Sequence, residues 1–246
     1  MSKTLVLAIL AGVVASGCGG GVAGDGSPSA AAQPAVGPAA AAIRGEAPSV
    51  YAKAPPPVDG TLASRIWQQC PPLVLGRVDG QAIGDLKTTA RVLLDDRNLY
   101  VAWQCDDRDT GSLVAKAGGR DDEVWSDDSV ELFVSPDGKT FCQFVVNCKG
   151  AYLDGRGDVG GTVDKGWDSS AMVKADIRKG KGWSATLSVP LKELGVRSGK
   201  GQTWLLNLNR TKPTGEGYIE MTWSAQGKSD YGDSSGWGKL VGVSIP

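Results

Sequence analysis

Residues 50–246 read as an all-β domain, a single antiparallel β-sandwich of the jelly-roll or immunoglobulin-like kind. Three observations predict it. Short runs rich in Val, Leu, Thr and Trp recur along the chain, and Gly, Asp, Asn and Pro clusters separate them. Apolar residues alternate along several runs with a period of two, as in Val130, Leu132 and Val134. Helical periodicity is almost absent, so sheet must pack on sheet to bury a core.

The chain has 246 residues, and those before the domain have another character. Residues 1–17 carry Lys3, then an apolar run from Leu5 to Val14, then Ala15-Ser-Gly. That run is too short to span a bilayer, and its small-residue exit marks an export signal. Ala-Ser-Gly-Cys18 resembles a bacterial lipobox, which implies lipidation of Cys18 and a membrane anchor at the cell envelope or surface. Residues 18–49 are dominated by Gly, Ala, Pro and Ser. With almost nothing apolar to offset ordering entropy, they are expected to form a tether.

Within the domain, Val58-Asp-Gly-Thr-Leu supplies an acidic turn, and Ile66-Trp67 supplies apolar anchors. Thr88-Thr-Ala-Arg-Val-Leu-Leu and Leu99-Tyr-Val-Ala-Trp-Gln-Cys flank Asp95-Asp-Arg-Asn, the signature of a hairpin. A Gly- and Asp-rich loop, 106–122, follows. Ser129 to Cys148 forms the next hairpin, with Pro136-Asp-Gly at its turn. Ala151-Tyr-Leu is a short strand. Residues 171–177 and 183–189 pair around Lys179-Gly-Lys-Gly. Pro190 to Gly195 is expected to form one helical turn, with Pro at its start and Gly at its stop. Trp204 to Arg210 alternates, with Trp204, Leu206 and Leu208 inward and Asn207 and Asn209 on the other face. Tyr218-Ile-Glu-Met-Thr-Trp and 236–243 close the fold.

Composition narrows function. The net charge is −1 with no basic cluster, which argues against a nucleic-acid partner. The chain contains no histidine, which removes the commonest general base and zinc ligand together. No Gly-x-Ser-x-Gly elbow or phosphate loop occurs. Asp121, Asp122, Glu123, Asp127, Asp128 and Glu131 supply carboxylates, but glycosidase pairs flank a substrate from opposite walls rather than crowd one loop. No catalytic residue is therefore expected. Asp127 and Asp128 are candidate oxygen ligands for a structural Ca²⁺, although the EF-hand spacing is missing.

Four of the five cysteines lie in the domain. Cys142 and Cys148 sit about 20 Å apart along one predicted strand, too far for a bridge needing Cα atoms within about 7 Å. Each pairs with Cys70 or Cys105, or some remain reduced.

A polar face is predicted across Gln104, Glu131, Gln143, Asn147, Asn207 and Asn209. Amides and a carboxylate beside aromatic rings suit a hydroxyl-rich ligand. Trp125 and Tyr231 are the aromatics least explained by core packing. Trp103, Trp183, Trp204 and Trp223 lie in strands and are assigned to the core.

Trp125-Ser-Asp-Asp-Ser-Val-Glu-Leu-Phe-Val, Phe144-Val-Val-Asn147, Trp183 with Ser188-Val-Pro-Leu, Trp204 to Arg210, Met221-Thr-Trp-Ser and Gly236-Trp-Gly-Lys-Leu together resemble the family 9 carbohydrate-binding modules. The resemblance covers most of residues 58–243. It implies a β-sandwich that binds the ends of glucan or xylan chains, works beside glycoside hydrolases and carries structural metal ions. By the same resemblance, Trp125 and Tyr231 would sandwich a terminal sugar. Glu131 and Asn147 would bond its hydroxyls, with Lys228, Gln143 and Arg210 as further ligand-binding candidates. Where sugar-binding members carry an arginine, this chain has Val145. Two other classes compete. A haem-binding redox domain of related fold would need Met172 or Met221 as an axial ligand, and an envelope interaction scaffold would need no ligand.

Overall fold

The computed structural model describes residues 45–224 and 230–246. Fourteen strands among them form two sheets. The early strands are β1 (Glu46–Pro48), β2 (Leu73–Val74), β3 (Gly76–Arg77), β4 (Thr88–Leu94) and β5 (Asn98–Asp106). Next come β6 (Ser129–Ser135), β7 (Thr140–Asn147), β8 (Tyr152–Asp158) and β9 (Val163–Asp164). The chain closes with β10 (Met172–Arg178), β11 (Gly182–Pro190), β12 (Gly199–Thr214), β13 (Gly217–Thr222) and β14 (Gly238–Ile245). The larger sheet runs β1-β14-β12-β6-β7-β8-β9, with β13 beside β12 and β3 beside β13. The smaller runs β10-β11-β5-β4-β2. The sandwich predicted from the sequence is the fold observed.

Period-two alternation explains the layers. Even-numbered residues of β6 and β12 (Val130, Leu132, Val134, Leu206, Leu208) are fully buried with Val101, Trp103, Ala185 and Leu187 of the smaller sheet in one core. Trp103, Trp183 and Trp204 lie at zero exposure, as expected of strand tryptophans. Trp223 is half-buried against the same core. At about 25 cal/mol per Å² of apolar surface, each such ring contributes a few kcal/mol, enough that truncating one would threaten the fold.

Turn chemistry sets the hairpin registers. The Asp95 carboxylate accepts from Arg97 N at 2.8 Å and Asn98 N at 2.7 Å, closing β4 onto β5. Asp137 accepts from Lys139 N and Thr140 N, both at 2.9 Å, between β6 and β7. Gly182, at φ +133°, opens β11 where a Cβ would sit 2.0 Å from the Cys105 carbonyl oxygen. No other residue fits that approach.

Two expectations are corrected. Residues 190–195 do not make a helical turn: Pro190 ends β11, and tight three-residue-spaced bonds from Glu193 N and Leu194 N follow. Gln104 does not share a face with the other polar residues, because β5 belongs to the smaller sheet. Of the two alternatives left open for the cysteines, the reduced one is observed: Cys70, Cys105, Cys142 and Cys148 are all buried, and none is bridged.

The two outer faces differ, and the difference places the site. The segment before β2 folds over the smaller sheet, burying Trp67 and Cys70 against Leu93, Tyr100 and Ala102. Arg91 ties it down through bonds to the carbonyls of Trp67 and Cys70. The larger sheet's outer face keeps an open cleft.

Candidate functional site

The cleft has a volume of about 380 Å³ on the outer face of β6, β7, β12 and β13. Its floor follows from the register. Glu131 pairs with Val145 and with Asn209, Phe133 with Gln143, and Thr211 with both Ser129 and Glu220, so these side chains share one face. Trp125, Glu131, Gln143, Val145 and Tyr231 all line the cleft. The sequence reading thus brought together residues far apart in the chain.

Trp125 rides on a short 3-10 turn, Val124–Ser126, and remains 46% exposed. That exposure matters, because a ring this open contributes little to the core and is free to stack on a ligand. The turn is pinned beneath by Val124, buried against Val145 and Leu153. Val145, in place of an arginine, is therefore part of the support under Trp125.

Glu131 is buried at 8% exposure and pinned by amides. Gln143 Nε2 donates to Oε1 at 2.5 Å and Asn209 Nδ2 to Oε2 at 3.3 Å. Burial pushes its carboxyl up to about 7 against the pull of those two bonds, and nearby Glu220 and Asp230 add to the rise. Tyr231 is half-buried and packs with Phe133, Phe141 and Trp237. Its hydroxyl donates to the Arg210 carbonyl at 3.0 Å, and its own carbonyl accepts from Trp237 Nε1 at 2.8 Å. Burial drives the phenol far above its ordinary value, so it serves as a fixed neutral ring.

Several expected site residues lie elsewhere. Asn147 is fully buried with both ends occupied. Its Nδ2 donates to Ala117 O and Asp127 Oδ2, and its Oδ1 accepts from Lys149 N and Ala151 N. It has no hydrogen bond left for a sugar and holds the loop that presents Trp125. Arg210 falls on the inward side of β12, where its guanidinium donates to Leu86 O, Thr88 Oγ1 and Asp106 O and meets Asp107. Its even position in a period-two strand turns it away from the cleft. Cys18 and Lys228 lie outside the described residues.

Asp127 and Asp128 do not fit a calcium site as arranged. Asp127 accepts from Lys116 N, Ala117 N and Asn147 Nδ2, whereas Asp128 accepts through Oδ2 from Val114 N and its buried Oδ1 has no hydrogen bond, only the Lys212 ammonium at 3.7 Å. At Asp127 amides already do what a cation would do, and at Asp128 the Lys212 ammonium supplies the positive charge. Asp121, Asp154 and Asp168 do converge. The Arg120 guanidinium, however, stands among them, 2.8 Å from Asp154 and 3.0 Å from Asp168. A cation would first have to displace it.

Tyr218, Glu220 and Asp230 also line the cleft, and the sequence reading did not single them out. Tyr218 is 51% exposed. Its alternation with Glu220 on β13 was the available signal, but only the pairing of β13 with β12 puts that side beside Glu131.

The sequence model of the carbohydrate family 9 binding domain-like family matches residues 58–244. The chain belongs to that family. This family 9-like domain also resembles solved structures. One, a Bacteroides uniformis protein described as carbohydrate-binding, is 19% identical with a TM-score of 0.62, over 80% of this chain and 97% of its own. A family 9 carbohydrate-binding module from Caldicellulosiruptor kristjanssonii, solved with glucose, is 14% identical with a TM-score of 0.61, over 82% and 97%. A family 9 module from the same organism, solved with cellotriose, gives 15% and 0.58, over 78% and 92%. No curated protein matches the chain in sequence. At these identities the likeness is one of fold. Of the methionines considered for haem, Met221 is fully buried in the family 9-like core and Met172 stands 59% exposed on β10. They do not converge on a pocket.

Proposed function

We propose that the domain is a non-catalytic module that holds the end of a glucan- or xylan-type chain in this cleft. One observation carries the reading: a half-exposed tryptophan, Trp125, stands over a floor of fixed polar acceptors, Glu131 and Gln143, on one sheet face. Sugar rings present C–H faces for stacking and hydroxyls for directional bonds, and this lining offers both. Binding is favoured over hydrolysis because both Glu131 oxygens are already held by amides, which ties the carboxyl to the sheet floor. The family 9 modules solved with glucose and cellotriose lend the ligand class support.

In the same reading, a lipid on Cys18 and the following tether keep the domain at the envelope, where partner glycoside hydrolases use the captured chain. Palmitate labelling tests the anchor, and an unlabelled, freely released product would remove it. Isothermal titration with cellobiose, xylobiose and their reduced forms tests the binding. Heat with the parent sugars supports the reading, and no heat with any glycan would sink it.

A further inference from the structure

The charge and donor balance of the cleft say more about its ligand. Glu131, Glu220 and Asp230 bring three carboxyl groups to it, and among the described residues no lysine or arginine lines it. The basic residues of the adjoining strand are turned to the other face. Arg210 and Lys212 of β12 both meet Asp107 between the sheets, Lys212 at 2.7 Å. Val145 leaves the floor of β7 without a donor fork. Gln143 spends one Nε2 hydrogen on Glu131, which leaves its carbonyl oxygen and a second N–H to offer. Asn209 likewise directs its Nδ2 to Glu131, and its Oδ1 is fully buried with no donor among the described residues. Among the described residues the charged lining is therefore anionic, and its side-chain donors are the neutral hydroxyls of Ser129, Thr211 and Tyr218 and the amide of Gln143.

Resting on the sugar-binding reading above, we propose that the cleft prefers a glycan bearing a free amine, a glucosamine-type residue, over its neutral counterpart and rejects a uronate. An ammonium brings three donors and a positive charge to a site whose ionisable carboxyl groups, Glu131, Glu220 and Asp230, face no cation among the described residues. The rings of Trp125 and Tyr218 offer faces on which a cation is attracted as well as a sugar C–H surface. A carboxylate-bearing sugar would meet like charge and, among the described residues, no cationic donor to offset it.

The test is isothermal titration of the full chain at pH 7 and low salt with β-1,4-linked triglucosamine, cellotriose and β-1,4-linked triglucuronate. Triglucosamine is expected to bind about tenfold tighter than cellotriose, the fold-change of one charge-assisted hydrogen bond, and triglucuronate to bind more weakly than either. The preference is expected to shrink as added salt screens the exposed Asp230. It should fall toward unity in the double variant Glu220→Gln, Asp230→Asn. Cellotriose binding equally well or better, or a ratio unmoved by that variant, overturns the preference and leaves sugar binding standing. No heat with any of the three overturns both.

Discussion

Gln143 reaches diagonally across the β6–β7 pairing, past its direct partner Phe133, to place Nε2 2.5 Å from Glu131 Oε1. The bond fixes a buried carboxyl at the floor of the cleft and turns the amide so that its nitrogen faces inward. It also couples the site to pH, because the pair sits where water is scarce.

That coupling predicts a pH-dependent stability. Glu131 titrates near 7 in the folded chain and near 4.5 as a free side chain, so folding favours its protonated form. Its stabilising share is complete below about 4.5 and is lost as pH rises through about 7, roughly 3 kcal/mol in all. Melting curves between pH 4 and 8 should show that decline, and Glu131→Gln should flatten it. An equal slope in the variant would place the titration elsewhere.

Trp125→Ala separates binding from folding. Affinity for the preferred oligosaccharide is expected to fall by about thirtyfold or more, the scale of a central aromatic contact. The melting temperature should move by no more than about 2–4 °C, given the ring's exposure. A large loss of stability would show the ring to be a core residue.

Asn147→Ala should behave in the opposite way. It strips a partner from Asp127 and leaves the backbone groups of Lys149, Ala151 and Ala117 unpaired. The cost is about 2–4 kcal/mol, read as a fall in the chemical denaturation midpoint. Binding weakens only as far as the Trp125 loop loosens. An unchanged midpoint with abolished binding would instead put Asn147 in contact with the ligand.

The four domain cysteines predict a thiol signature. Burial raises Cys105, Cys142 and Cys148 to about 12 and raises Cys70 as well, so few thiolates form at neutral pH. Native protein should react very slowly with a disulfide reagent, and guanidinium-unfolded protein should expose all four without prior reduction. Thiols that appear only after reduction would mean that bridges had formed.

Much of this molecule was legible before any coordinates. Alternation at Val130, Leu132, Val134, Trp204, Leu206 and Leu208 reports which side of a strand is buried, because side chains switch faces at every residue. Asp95 and Asp137 announce their hairpins by the same local logic, since an Asp side chain bonds the backbone two residues on. Trp125 stood out because nothing around it in sequence gave a reason to bury it.

Local pattern could not say which strands become neighbours. Gln104 and Glu131 look alike in a polar alternation, yet the crossover between sheets sends them to different faces. Arg210 and Asn209 are adjacent in sequence, and the pleat sends one into the interior and the other beneath the cleft. Asn147 and Asp127 looked available for ligands because partners that occupy them come from a loop distant in sequence, the amides of Lys116 and Ala117 on Asp127 and the Ala117 carbonyl on Asn147. The sequence by itself determined the sandwich, its inward residues and an aromatic left over for binding. Only the tertiary structure decided that Tyr218, Glu220 and Asp230 join Glu131 while Arg210 and Asn147 do not. A strand's own residues set its two faces, but long-range pairing chooses which face meets which neighbour, and that choice gives the cleft its charge.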